Sequence, residues 1–296
     1  MSDKVDIAVK RLQEAAEMSQ VLYEKPLVVT YSGGKDSDTI LQLAKIAKIP
    51  FEVLHSHTTA DAPETVYHVR DTFRELELAG VKCDIDYHVR PDGKRTTMWN
   101  LIPKKLMPPT RIVRYCCAEL KEGGGKERFI VTGVRWDESA ARKKNRGILE
   151  VLASKKENSI VLSNDNDEDR RLFENCQMKG KRVVNPIVDW TTKDVLDFCK
   201  SEKVSLCTLY EEGWNRVGCV GCPMAGEKRY MEFERYPTYK KAYIAAFDRM
   251  IEERKRRGKM EGETRFGYTG NDVFHWWMED GILPGQTVLP GFEDIL

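Results

Sequence analysis

Residues 27–37, LVVTYSGGKDS, constrain the fold of this chain more than any other stretch. An apolar run at 27–31 is followed at once by a serine, two glycines and a lysine, and then by a stretch with helical periodicity at 39–46. This order predicts a strand, a tight loop and the start of a helix. Such a loop presents backbone N–H groups and the positive end of the helix dipole, so it predicts a phosphate-binding site.

The side chains of the loop agree with phosphate binding. Two adjacent glycines let the backbone approach an anion closely, Lys35 adds a mobile charge, and the serines add hydroxyl donors. The loop differs from a Walker A motif, because Asp36 follows the lysine where that motif has Ser or Thr. A carboxylate at this point suits a Mg²⁺ ion carried on phosphates. The predicted cradle consists of Ser32, Gly33, Gly34, Lys35, Asp36 and Ser37.

SGGKDS resembles the PP-loop of the N-type ATP pyrophosphatases, enzymes that split ATP between its α and β phosphates. The resemblance implies ATP and Mg²⁺ as ligands and catalytic roles for Lys35 and Asp36. Several groups of enzymes share the loop, so the loop alone leaves the reaction open.

Two further segments extend the resemblance. The sequence around 59–65 is similar to a Thr…Pro-Glu-Thr segment that contacts the adenosine in the phosphoadenylyl-sulfate (PAPS) reductase family, and the pattern Gly-x-Arg-x-x-Glu-Ser at 133–139 is similar to one found in its relatives. Arginine forks at such positions suit phosphate or sulfate oxygens. Together these segments imply nucleotide contacts from Thr59, Glu64, Thr65, Gly133, Arg135 and Arg142, with Arg135 also catalytic.

Strand and helix patterns alternate along the first half of the chain. Strands are expected at 27–31, 51–57, 82–89 and 129–134, with a helix at 63–78 and a packing helix at 5–22. This alternation predicts an α/β fold with a doubly wound parallel sheet, of the adenine-nucleotide alpha-hydrolase-like kind that the resemblance implies. A hairpin insertion is expected within 150–171, a further strand at 185–190, and a Thr-capped helix from Thr191 or Thr192.

The chain is expected to have three parts. Residues 1–24 form the packing helix, 25–226 the PP-loop domain with the metal site, and 227–296 a helical C-terminal extension, in which 230–260 and 267–281 are predicted to be helical. The extension is rich in basic and aromatic residues, which would suit either a cap over the metal site or a surface that binds an acceptor.

Cysteine spacing predicts a metal site. Cys116 and Cys117 are adjacent, and far downstream Cys219 and Cys222 form a Cys-x-x-Cys pair that can place two thiolates on one metal. Zinc would also accept four thiolates, so the spacing leaves the metal open. Because adjacent cysteines point in different directions on a helix, Cys176 is an alternative to Cys116. The cysteines expected in the core are Cys83, Cys199 and Cys207.

Resemblance narrows the choice of metal. A similar cysteine set binds a [4Fe–4S] cluster in adenylyl-sulfate reductases and in the ATP pyrophosphatases of DNA phosphorothioation, which this chain resembles most. It therefore implies a cluster in preference to zinc. After the adjacent pair the family has Arg-Lys, whereas this chain has Leu120-Lys121, which keeps only the implied catalytic lysine. No cysteine follows Cys222, although assimilatory reductases of the family carry a C-terminal cysteine nucleophile.

These features predict an ATP pyrophosphatase that adenylates an acceptor for sulfur insertion. By resemblance the acceptor is a nucleic acid, DNA or tRNA, and the sulfur donor an enzyme such as a cysteine desulfurase. Two alternatives stay open: a PAPS or adenylyl-sulfate reductase that uses an external thiol, and a non-catalytic nucleotide-binding scaffold with a structural metal.

Charge and hydropathy add limits. The 48 basic and 47 acidic side chains balance, so any nucleic-acid surface must be local. No apolar run approaches membrane-spanning length, and the N-terminal helix lacks a signal-peptide core, so we expect a cytoplasmic protein without a membrane partner. The sequence leaves room for a homo-oligomer.

Overall fold

The computed structural model describes residues 2–125, 127–152, 160–163, 165, 181–260 and 267–279. The chain divides into two compact units. The first comprises Met1–Ser56, Pro63–Asp86 and Gly124–Val217, and the second comprises His57–Ala62, Tyr87–Gly123 and Gly218–Leu296. Each unit is therefore assembled from separate stretches of sequence. The expected division into 1–24, 25–226 and 227–296 stays a prediction.

Seven strands form one sheet in the first unit. They are β1 (Leu27–Thr30), β2 (Phe51–Ser56), β3 (Cys83–Asp86), β4 (Phe129–Val131), β5 (Leu149–Leu152), β6 (Ile160–Leu162) and β7 (Lys181–Val184), in the spatial order β3-β2-β1-β4-β7-β5-β6. The first five strands in this order are mutually parallel, and β5 and β6 add an antiparallel edge. The predicted α/β class with a largely parallel sheet is confirmed.

Ten helices are labelled here in chain order. They are α1 (Ser2–Tyr23), α2 (Lys35–Ile46), α3 (Pro63–Leu78), α4 (Met98–Lys105), α5 (Tyr115–Leu120), α6 (Ala140–Asn145), α7 (Thr192–Ser201), α8 (Lys228–Arg235), α9 (Pro237–Arg256) and α10 (Gly270–Met278). The first unit contains α1, α2, α3, α6 and α7, and the second contains α4, α5, α8, α9 and α10. None of the helices in the described part of the chain is long and apolar enough to cross a bilayer.

Alternation along β1 sets the core of the first unit. Leu27 and Val29 lie in the main apolar cluster, with residues of α1, α2, α3 and α7, whereas Val28 lies in a smaller cluster with Ile130 and Val183. Successive side chains of a strand point to opposite faces of a sheet, so β1 is apolar on both faces, as expected of a central parallel strand.

Three local predictions are refined. Residues 185–190 follow β7 as turns and are not a strand, because the chain ends its pairing at Val184; Thr191 then caps α7 by accepting a hydrogen bond from the Asp194 N–H at 3.2 Å. The helical segment at 230–260 is split by Pro237, which cannot donate within a helix but is tolerated in the first turn of α9. β5 and β6 pair antiparallel as expected of a hairpin, and the turn between them lies outside the described residues.

Candidate functional site

The PP-loop lies in the first unit, between β1 and α2. Gly33 has φ +74°, and a Cβ there would lie 3.0 Å from methyl carbons of Thr65 and Val69, so both conformation and space require glycine. Gly34 is the N-cap of α2, and the N–H groups of Ser37 and Asp38 donate to its carbonyl at 2.8 and 3.0 Å. The helix thus begins within the glycine loop, at Lys35.

Asp36 is held between two cations. Its Oδ1 accepts a hydrogen bond from Arg135 Nε at 2.7 Å, and its Oδ2 lies 3.4 Å from Lys35 Nζ. Arg135 is only 2% exposed and also donates to Asp137, the Trp190 carbonyl and Thr192. The contacts of Arg135 are therefore to protein groups, and it holds Asp36 from behind the loop.

Other predicted nucleotide contacts have structural partners as well. A Cβ on Gly133 would lie 3.0 Å from the backbone carbon and oxygen of Asp36, so this glycine lets the segment after β4 approach the first turn of α2 closely. Ser37 Oγ donates to the Gly34 carbonyl at 2.7 Å and accepts from its N–H at 3.1 Å, whereas Ser32 is exposed and lies 3.3 Å from Ser37 Oγ. Arg142 lies in the first turn of α6 and forms an ion pair with Glu138.

The Thr…Pro-Glu-Thr segment is divided between the units. Glu64 and Thr65 lie in the first turn of α3 in the first unit, where Thr65 is buried against Gly33. Thr59 lies in the second unit and has φ +64°; its Oγ1 accepts a hydrogen bond from the Met98 N–H at 3.0 Å, at the start of α4. These contacts give Thr59 and Thr65 a role in the fold.

Two groups behind the loop were missed by sequence reasoning. Tyr210 OH accepts a hydrogen bond from the Lys35 N–H at 3.0 Å, and its ring centroid lies 5.9 Å from Lys35 Nζ. Tyr31 OH donates to Asp38 Oδ1 at 2.5 Å, and His68 Nε2 lies 3.0 Å from the same oxygen. Burial of the phenol raises the pKa of Tyr31 far above its ordinary value, and the negative charge of Asp38 raises it further.

A sequence signal for this second network exists. His68 and Thr72 are polar residues four apart on α3, and Thr72 Oγ1 also lies 3.0 Å from Tyr31 OH. Residues at this spacing share one face of a helix. Polar side chains on a face that otherwise packs into a core indicate a buried partner, here Asp38.

The second unit brings together four of the predicted metal ligands. Cys116 and Cys117 lie on α5, and Cys219 and Cys222 lie in the loop before α8. The two downstream thiols, when ionised, are near enough to add to the raised pKa of Cys116. Cys176 lies outside the described residues. Cys199 and Cys207 of the first unit are buried, as predicted, and Cys83 is half-buried.

The adjacent thiols are electrostatically unequal. A hydrogen bond from the Cys116 thiol, assisted by Arg114 Nη2 at 3.3 Å, lowers the pKa of Cys117 below its ordinary value. The same pairing and burial raise the pKa of Cys116. Cys117 is therefore the thiol of this pair that is readily deprotonated, which is the form that binds a metal.

Cys219 is positioned by residues that the cysteine pattern did not reveal. Its Sγ donates to Thr58 Oγ1 at 3.4 Å and lies 3.9 Å from Asp61 Oδ1, and residues Asp61 and Cys219 form an isolated antiparallel bridge. Burial raises the pKa of Cys219 to about 11. Lys121 is exposed at the end of α5, and the pKa of its ammonium group is raised by Cys219 in its thiolate form, followed among the raising causes by Asp61.

Two tyrosines hold the cysteine loop. Tyr243 OH donates to the Val220 carbonyl at 3.0 Å, and Tyr239 OH donates to the Asp61 carbonyl at 2.7 Å. Gly221 has φ +73°, and a Cβ there would lie 2.3 Å from Phe233 Cζ. Within the described part of the chain, no three of these thiols have sulfurs within 4.8 Å of one another, so they do not form a ready-made zinc site. Soft thiols with cationic neighbours suit an iron–sulfur cluster better than Mg²⁺ or Ca²⁺.

Known proteins resemble this chain over most of its length. Sulfate adenylyltransferase subunit 2 of Streptomyces lavendulae is 31% identical over 241 residues, which cover 73% of this chain and 69% of that protein. An uncharacterized protein of Methanocaldococcus jannaschii is 27% identical over 202 residues, 68% of this chain, but the match spans only 36% of that relative.

Solved structures resemble it more distantly. Phosphoadenylyl-sulfate reductase from Candida auris, in a phosphate complex, has a TM-score of 0.43 at 18% identity, with 73% of this chain and 93% of that chain covered. The U34-tRNA thiolase of Methanococcus maripaludis with its [4Fe–4S] cluster has a TM-score of 0.42 at 13% identity, with 93% and 91% covered.

A family match covers both the loop and the downstream cysteine pair. It runs over residues 26–225, about two thirds of the chain, and includes the cradle, the adjacent cysteines and the Cys-x-x-Cys loop. This chain belongs to the phosphoadenosine phosphosulfate reductase domain family.

Proposed function

We propose that the protein is an ATP pyrophosphatase that adenylates an acceptor and prepares it for sulfur insertion. The observation that carries the proposal is that Cys116, Cys117, Cys219 and Cys222 lie in one unit and interact electrostatically, in a chain whose other unit has the PP-loop. A sulfate adenylyltransferase relative supports the use of ATP. The cysteine set favours sulfur chemistry over adenylyl transfer alone.

The residues of the first unit would bind ATP. Its phosphates would lie on the cradle of residues 32–37, with Lys35 turned towards them, and its adenosine along Glu64 and Thr65. When Lys35 moves to a phosphate, Asp36 Oδ2 becomes available to a Mg²⁺ ion while Arg135 keeps Oδ1 fixed. Gly133 keeps this face close to the loop, and Arg142 would add a contact by exchanging its partner Glu138.

The chemistry has two displacement steps. An oxygen of the acceptor attacks the α-phosphorus of ATP, the bond to the β-phosphate breaks, and pyrophosphate leaves with its negative charge balanced by Lys35 and Mg²⁺. A sulfur nucleophile then attacks the adenylated centre, and the bond to the former acceptor oxygen breaks as AMP leaves. Lys121 would offset the anionic charge at the sulfur site, and Thr58 and Asp61 would orient Cys219.

We propose a [4Fe–4S] cluster on the four cysteines, with zinc as the alternative and Cys176 as the substitute for Cys116. When bound, such a cluster would supply a place to carry inorganic sulfide delivered by a donor such as a cysteine desulfurase. The protein's own part is to present four thiols, of which Cys117 is the easiest to deprotonate, and to surround them with Arg114 and Lys121.

A second candidate is supported by family membership. A sulfonucleotide reductase of this family would bind PAPS or adenylyl sulfate in the first unit and release sulfite with an external thiol as the reductant. The sulfate adenylyltransferase relative favours ATP as the nucleotide, and for this reason the pyrophosphatase is the leading proposal.

Pyrophosphate release from ATP by anaerobically purified protein tests the proposal. We expect release that depends on added tRNA or DNA, iron and a broad visible absorption in the protein, and loss of release in Lys35→Ala. Sulfate-dependent release with no nucleic-acid requirement would make it a sulfate adenylyltransferase, and sulfite release from PAPS would make it a reductase. A protein that turns over none of these nucleotides would be a scaffold.

A further inference from the structure

A basic groove of about 480 Å³ lies between α4 and α9 in the second unit. Its volume is within the range of roughly 300–1,000 Å³ that is typical of ligand sites. Lys104, Arg249 and Arg257 line it with one anion, Glu253. Glu253 pairs with Arg257 at 2.5 Å, so the positive charge of the groove comes mainly from Lys104 and Arg249. The other residues of its lining are Thr97, Trp99, Asn100 and Pro103.

Trp99 forms a rigid aromatic part of the lining. Its ring makes an edge contact with Tyr243, with centroids 5.0 Å apart at 75°, and lies 6.2 Å from the ring of Tyr239. Arg249 Nη2 donates to the Trp99 carbonyl at 3.1 Å, which fixes the first turn of α4 against α9. An immobilised half-buried indole between cations can stack on a planar group without a large loss of side-chain entropy.

The two tyrosines that contact Trp99 are those that hold the cysteine loop. Tyr243 OH binds the Val220 carbonyl, between Cys219 and Cys222, and Tyr239 OH binds the carbonyl of Asp61. The groove and the cysteine site are therefore connected by one layer of packed aromatic side chains within the same unit.

Helix-dipole compensation explains some of these charges. Lys104 lies in the last turn of α4, and Arg257 caps the end of α9, where basic residues are favourable in any helix. Arg249 lies about two turns before the end of α9, so the dipole does not account for it. The combination of cations with a fixed aromatic ring matches single-stranded nucleic acid, whose phosphates need charge and whose bases need a stacking surface.

We propose that this groove binds a single strand of nucleic acid, with a base stacked on Trp99 and phosphates on Lys104 and Arg249. The inference rests on the proposed function for the identity of that strand as the sulfur acceptor. The surface belongs to the second unit alone, so strand binding needs neither ATP nor turnover. Its test can therefore be separated from that of the pyrophosphatase.

The test is fluorescence anisotropy of a labelled 12-nucleotide DNA or RNA strand, titrated with the full-length protein without ATP at several salt concentrations. Lys104→Gln with Arg249→Gln should weaken binding roughly tenfold or more at 0.1 M salt. Each phosphate contact contributes about 0.7 to the slope of log affinity against log salt concentration, so the loss of two contacts should make this slope smaller by about 1.4. The control, Lys143→Gln with Lys144→Gln on α6, removes the same charge from an exposed surface and should change binding little.

Two single variants should change the affinity for the strand in opposite directions. Trp99→Leu should weaken binding roughly tenfold through lost stacking. Glu253→Gln should tighten it, because it removes the one anion of the groove. Equal weakening by the groove and control pairs, or absence of strand binding by the wild type, would overturn the proposal. Strand binding that follows this pattern without any pyrophosphate release would keep the groove and reject the pyrophosphatase.

Discussion

The nucleotide loop of the first unit and the cysteine site of the second are built in opposite ways. The loop is one continuous stretch, residues 32–37, whose conformation is fixed by its own glycines and by hydrogen bonds to Gly34. The cysteine site draws on three stretches, around residues 58–61, 114–121 and 219–222. Local sequence therefore forms the turn of the loop, which distant Arg135 and Tyr210 then support, whereas the cysteine site depends on tertiary packing throughout.

The two regions also differ in how they balance charge. The carboxylate of Asp36 is neutralised in place by Lys35 and Arg135, and the buried pair gains its strength from a short contact at 2.7 Å. In the cysteine site, thiols of raised and lowered pKa lie side by side, with Arg114 and Lys121 as the cations. The first region pairs a carboxylate with two cations, whereas the second sets cations near thiols of unequal acidity.

Removing two of the proposed metal ligands should have the largest effect of all. Cys219→Ser with Cys222→Ser should lose essentially all bound metal, because two of four ligands are replaced by hydroxyls that bind iron or zinc weakly. Iron and zinc analysis with visible absorption measures this loss. Cys83→Ser in β3 is the control and should keep its metal. A double variant with full metal content would show that other residues are the ligands.

Breaking the buried pair of the loop should give the next largest effect. Asp36→Asn leaves the Arg135 guanidinium, 2% exposed, without its closest carboxylate, and should lower the free energy of unfolding by about 3–4 kcal/mol. Urea denaturation measures this change. Asp71→Asn breaks the exposed pair with Arg74 and should cost less than about 1 kcal/mol. Equal effects of the two substitutions would contradict the buried role of Asp36.

Glycine substitutions compare the rigidity of the two regions directly. Gly221→Ala places a methyl group 2.3 Å from the Phe233 ring at φ +73°, and should destabilise the protein by about 3 kcal/mol. Gly33→Ala meets two methyl groups at 3.0 Å at a similar φ, and should cost about 1–2 kcal/mol. The melting temperatures of the two variants measure this difference, and that of Gly221→Ala should be the lower. A larger loss for Gly33→Ala would mean that Phe233 moves aside more easily than Thr65 and Val69.

Sequence patterns were sufficient where the determining contacts are local. Residues 63–78 were predicted as a helix and form α3, and the glycine loop begins α2, because periodicity and capping act over a few residues. The turn at 185–190 was mistaken for a strand, since Ile187 and Val188 are apolar for reasons of packing and not of pairing. Burial alone does not reveal the type of element.

Site residues follow the same division. The roles of Asp61 and Thr58 beside Cys219 could not be inferred, because both residues lie some 160 positions away and contact it only in the folded chain. Arg135 was expected to contact the nucleotide, and its bonds to Asp36, Asp137 and Thr192 instead give it a role in holding the loop. A nucleotide contact from Arg135 stays a prediction.

The smallest effect expected is a difference in thiol reactivity within the cysteine site itself. In metal-free protein the pKa of Cys117 is lowered by the Cys116 hydrogen bond and Arg114, so its thiolate persists to a pH below the ordinary range. Burial raises the pKa of Cys219 to about 11, so this residue stays a protonated thiol until strongly alkaline pH. Only the thiolate reacts with iodoacetamide.

Mass-spectrometric mapping of iodoacetamide labelling between pH 6 and pH 10 therefore should show Cys117 modified first and Cys219 last. Arg114→Gln removes one of the interactions that favour the thiolate, and should shift the labelling of Cys117 to higher pH while leaving Cys219 unchanged. Equal labelling of both residues at every pH would mean that the thiols share one environment. In that case the inequality between the two cysteines, and with it the assignment of Cys117 as the thiol that is readily deprotonated, would be lost.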